Sequence, residues 1–241
     1  MKSNFNIPAG FIALSLLVFS SCSKKLDGEG PVVTETRTAA AFEGLAASVD
    51  ATIYFSQSAD QSITLEAQQN ILDEIETVVN NNILRIRYKH PNTSIRHAER
   101  VIIRITGPVA RYLEQDGSGA MRIEGLIDPT TSQFVVSGSG NIHADEVITN
   151  KLDAVISGSG RIIIDDGEAN EEKVTISGSG QVDISELPVK DAETNISGSG
   201  SMKIYVTNNL KARISGSGTV YYRGNPTIST QISGSGAVVK L

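Results

Sequence analysis

The sequence predicts an all-β fold, a parallel solenoid with coils of about 20 residues preceded by an irregular β-rich half. Three observations carry that prediction. First, Ser-Gly-Ser-Gly occurs six times, starting at Ser137, Ser157, Ser177, Ser197, Ser215 and Ser233, and a variant, Asp116-Gly117-Ser118-Gly119, precedes them. The starts lie 21, 20, 20, 20, 18 and 18 residues apart. A fixed period of this size means one unit stacked on itself rather than a conventional core.

Second, the flanking columns alternate. The residue before the motif is Val136, Ile156, Ile176, Ile196, Ile214 or Ile232, and two after it come Ile142, Ile162, Val182, Met202, Val220 and Val238. The opposite parity is polar, as at Asn141, Arg161, Gln181, Ser201 and Thr219. Alternation is the strand period. Third, the same parity carried through the motif turns both serines outward and both glycines inward, so the strand can bend sharply where no Cβ intrudes. Each coil then reads strand, glycine corner, strand, return. Seven coils stacked at about 4.8 Å make a rod of about 34 Å. An antiparallel sandwich would instead call for Asn-Gly or Asp-Gly hairpin turns between its strands.

In chain order, residues 1–21 read as a signal peptide: Lys2, then the apolar stretch Phe11 to Phe19, too short for a stable membrane span, then small residues. The only cysteine, Cys22, follows Ser20-Ser21 as in a lipobox and is the expected lipid attachment site. A lone cysteine makes no internal disulfide. Residues 22–31 are polar and Gly-containing and read as a lipidated tether. Residues 32–113 lack the motif but hold strand-like runs at Val49 to Phe55, Gln61 to Ala67, Ile83 to Tyr88 and Val101 to Thr106, with a short helical segment within Asn70 to Thr77. This half is expected to start the same solenoid and cap its first edge. Residues 114–241 are the repeat solenoid.

The Phe42-Glu43-Gly44-Leu45 segment, the Ile83 to Tyr88 strand and the serial I-S-G-S-G-x-V units together resemble the head GIN domain family, the "putative autotransporter adhesin head". The likeness covers roughly residues 40–241. It implies a right-handed parallel β-helix-like solenoid in a bacterial cell-envelope protein, often a lipoprotein, and brings no catalytic or binding residues with it.

The net charge is −6, or −7 once Lys2 is removed with a signal peptide, which argues against nucleic acid as a partner. The glycine motifs lead into strands with no lysine in Walker spacing, so they are not phosphate loops. Only Asp116 is acidic within a motif, which excludes the calcium-binding nonapeptide roll.

Stacking sets Asp145 beside Asp165, a weak candidate for a divalent cation, and Asp183 beside Lys203. Tyr205 and Tyr221 point outward as candidate surface contacts for a sugar or protein. His90, His97 and His143 show no metal-ligand spacing. Glu168, Glu171 and Glu172 lie in the longest polar return and read as a solvated turn. No catalytic residue and no cofactor is expected.

The sequence therefore reads as a non-catalytic envelope lipoprotein, lipid-anchored in the outer membrane, that presents a rigid solenoid for adhesion or protein contact. The alternatives are a carbohydrate-binding module and, third, a polysaccharide-degrading enzyme. The expected partners are the membrane, through the lipid, and a protein or glycan; open rod ends also predict a homo-oligomer.

Overall fold

Residues 20 apart, or 18 apart in the later coils, are ladder neighbours. Ile156 stands opposite Ile176, Ile176 opposite Ile196, and Ile196 opposite Ile214, all in parallel register. The computed structural model describes residues 24–241; the expected signal peptide and Cys22 lie outside the described residues. The long strands Asn141–Gly158, Arg161–Gly178, Gln181–Gly198 and Ser201–Gly216 each run from one glycine corner to the next, bending through the corners of the coil. The expected returns are thus largely strand, and the solenoid is built as predicted.

The inner columns are closed to solvent. Val136, Ile156, Ile176, Ile196 and Ile214 are 0–2% exposed. Ile142, Ile162, Val182, Met202 and Val220 form a second ladder, also buried. Burying each such side chain stabilises the fold by about 1.5–3 kcal/mol.

The two glycines of a motif differ, which corrects the expectation that both face inward. Gly180 and its equivalents Gly140, Gly160, Gly200 and Gly218 are buried, and a Cβ at Gly180 would collide with Ile156 of the preceding coil. Gly178 is half-buried and takes φ +120°, and a Cβ there would lie 2.5 Å from the Gly158 carbonyl oxygen. One glycine therefore supplies the left-handed backbone of the corner, while its partner makes room for the isoleucine behind it.

The first half extends the same faces. Ile83–Tyr88 pairs in parallel with Gly44–Ser48, which pairs with Tyr112–Gly117. Beyond the corner, Ile102–Gly107 pairs with Thr52–Gln57, which pairs with Ala120–Ile127. Antiparallel strands then close this end: Ile75–Asn80 on Ile83–Tyr88, Ser62–Gln68 on Ile102–Gly107, and Val32–Arg37 on Ser62–Gln68. The helical turn Gln69–Leu72 plugs the core with Ile71 and Leu72, both fully buried.

The described part of the expected tether is docked rather than free. Lys25–Asp27 pairs in parallel with Ser94–Arg96. Lys24 Nζ lies 2.5 Å from Glu74 Oε2.

Candidate functional site

The outward columns bring together groups far apart in sequence. His143 and Asp145 belong to one coil and Asp165 to the next, and their ligand atoms all lie within 4.8 Å of one another. Sequence spacing alone hid this histidine, because the third member comes from the neighbouring coil. Arg122, one coil earlier, donates to Asp145 Oδ1 at 2.8 Å and to His143 Nδ1 at 3.0 Å.

A guanidinium only donates, so Nδ1 accepts. Nε2 then carries the proton that it donates to Asp165 Oδ2 at 2.6 Å. The cation on Asp145 is thus Arg122, and the neutral imidazole of His143 links that pair to Asp165. A metal on Nε2 would leave the imidazole proton on Nδ1, facing the Arg122 donor. A divalent cation shared by Asp145 and Asp165 would compete with Arg122 for Asp145.

Tyr205 and Tyr221 are half-buried and face outward on adjacent coils. Lys203 stands opposite Tyr221, and Tyr205 opposite Arg223, so the two rings are diagonal neighbours flanked by cations. Lys203 Nζ is 2.8 Å from Asp183 Oδ2, the cross-coil pair that stacking predicts. Burial raises the Asp183 carboxyl, but the bonds from Lys203 and Ser185 outweigh it and hold the group below its usual range.

Glu172 departs from the expected solvated turn. It is 3% exposed, and neither carboxylate oxygen has a partner. The column five residues before the motif reads Ser132, Leu152, Glu172, Ala192, Leu210 and Ile228, so the carboxyl stands between the aliphatic side chains of Leu152 and Ala192. That column was the signal that could have found it. Burial pushes the Glu172 carboxyl up to about 8. It is therefore protonated near neutral pH and separated from Glu171, and these acids form no paired hydrolytic site.

At the capped end, Glu74 is buried and accepts from Lys24, from the His90 backbone N–H at 3.0 Å and from Thr93 at 3.2 Å, with His90 Nδ1 2.7 Å away. Burial would raise this carboxyl, but the bonds from Lys24 and His90 lower it to about 2. Glu74 thereby ties down both the segment after Cys22 and the loop following Tyr88.

Three solved structures are similar over most of this chain. A putative lipid binding protein from Parabacteroides distasonis is 25% identical with TM-score 0.79, covering 90% of this chain and 100% of its own. A putative adhesin from Bacteroides fragilis is 22% identical with TM-score 0.83 at the same coverage. A second protein from Parabacteroides distasonis, also described as a putative adhesin, is 20% identical with TM-score 0.74, again at the same coverage. No curated protein matches the sequence. A family model described as "Putative auto-transporter adhesin, head GIN domain" matches residues 41–226, most of the described solenoid, and the chain belongs to that family.

Proposed function

We propose that this chain is a non-catalytic cell-envelope lipoprotein, lipid-anchored through Cys22 to the outer membrane, that holds a rigid solenoid out for adhesion or protein contact. The observation that carries this reading is the unbroken parallel ladder, which fixes outward polar columns at one spacing along the rod. Such a surface offers many shallow contacts and little enclosed chemistry. Membership in the adhesin-head family and the adhesin descriptions of two structural relatives support it. A third relative is described as lipid binding, whereas Phe42, Phe55 and Phe134 are buried here and help fill the interior.

Protease shaving of intact cells tests the surface role, and palmitate labelling with and without Cys22→Ala tests the anchor. The reading expects cleavage on intact cells and label that disappears in the variant. Protection from protease until the outer membrane is opened would remove adhesion, and labelling that persists would remove the anchor.

A second reading rests on the Tyr205 and Tyr221 pair, which offers two ring faces for a sugar. Glycan-array binding abolished by Tyr205→Ala and Tyr221→Ala would favour it.

A further inference from the structure

We infer that the last coil is a self-association edge, which pairs with the same edge of a second copy of this chain. The final rung breaks a ladder that is otherwise sealed. Ile232 follows Val136, Ile156, Ile176, Ile196 and Ile214 in their column, yet it is 44% exposed where they are 0–2%. Ile228 follows Leu210 and is 38% exposed against 1%. Ile228, Ile232, Val239 and Leu241 are half of the exposed large hydrophobic residues among the described residues. Thr227–Gly234 pairs with Ser201–Gly216, and Ala237–Lys240 with Thr219–Arg223; neither has a described strand on its other side. Open backbone donors and acceptors thus run beside an uncovered apolar column.

The occupant must supply strand backbone around a glycine corner and an apolar inner column of its own. This edge on a second copy offers both. Charge points the same way. The chain carries −6 overall, but Thr227–Gly234 contains no charged residue, and Lys240 Nζ is held by Asn225 Oδ1 at 2.6 Å. No like charge on this strand therefore opposes the meeting of two acidic molecules.

The opposite end is closed by antiparallel strands bearing Glu35, Arg37 and Glu76, the usual guard against edge pairing. The last edge pairing with the same edge of a second copy is isologous, so the contact stops at two, with no filament.

Sedimentation velocity of the full chain in density-matched detergent, across micromolar concentrations, tests this. The expected result is a monomer–dimer equilibrium that Thr230→Lys and Ile232→Lys each shift to monomer, with circular dichroism unchanged. Hydrogen exchange provides a readout independent of variant folding: protection of residues 227–234 should rise with protein concentration in the native chain. A monomer at all concentrations, growth beyond two copies, a dimer that survives both lysines, or exchange indifferent to concentration would each overturn the inference.

Discussion

The two ends of this solenoid solve the same problem differently. At the first end, Ile71 and Leu72 from a helical turn plug the core, and antiparallel strands cross the open ladder. Arg37 donates to the Leu72 and Ile75 carbonyls at 2.8 and 2.7 Å, stitching these pieces together. At the last end the repeat simply stops being covered, and Ile228 and Ile232 meet solvent. A stack of identical units has no intrinsic terminus. A cap has to be written in non-repeating sequence, and here only one end of the described chain has it.

The largest effect that sharpens this contrast is electrostatic, and it has opposite sign in the two halves. In the repeats, the folded Glu172 carboxyl titrates near 8 against 4.5 unfolded, so the native state holds the proton longer. Stability should be fully present below pH 4.5 and decline as pH rises through 8, by roughly 4–5 kcal/mol. Glu172→Gln should flatten that decline in denaturant melts taken across pH.

At the cap, Glu74 is shifted the other way, to about 2 from 4.5. Its contribution is present above pH 4.5 and should fade as pH drops through 2, by about 3 kcal/mol at most. Glu74→Gln should remove this acid-side loss and speed hydrogen exchange in the loop after Tyr88. An alkaline decline unchanged in Glu172→Gln would contradict the buried position of that side chain.

Glycine corners separate the regions next. Gly178→Ala combines positive φ with collision against the Gly158 carbonyl and should cost about 4 kcal/mol. Gly117→Ala shares positive φ, at +87°, but a Cβ there meets nothing within 4 Å, so about 1 kcal/mol is expected. Equal costs in chemical denaturation would show that the corners do not stack as described.

Ile176→Ala should cost about 3 kcal/mol by leaving a cavity, while Ile232→Ala at dilute protein concentration should cost well under about 1 kcal/mol. A comparable loss at both sites would mean that the last rung is covered within the monomer.

The repeat half was legible because each inner position is written six times. One atypical residue, such as Thr194 among Phe134, Ala154 and Val174, does not blur the column. The strand Ile83–Tyr88 was legible to the residue, and the Asn81 and Asn82 turn before it takes positive φ at both positions. A cap at this edge was expected, but its antiparallel pairing was not legible. Ser62–Gln68 finds its partner at Ile102–Gly107, and no local pattern encodes a pairing at that distance.

The site was less legible for a related reason. Outward residues carry no burial signal, and the meeting of His143 with Asp165 depends on stacking register rather than on spacing within one coil. Glu172 is the opposite case. Its column gave the inward position, but charge and a polar neighbourhood made it look like a turn.

Register is the claim beneath all of this, and paired cysteines measure it directly. In a Cys22→Ala background, Ser177→Cys with Ser197→Cys places two thiols on adjacent coils, with Cα atoms about 4.8 Å apart, within disulfide reach. Ser177→Cys with Ser215→Cys doubles that separation to about 9.6 Å, beyond reach. Mild oxidation should cross-link the first pair within a monomer and leave the second reduced. An unreacted first pair, or a second pair that closes as readily, would contradict parallel, in-register stacking.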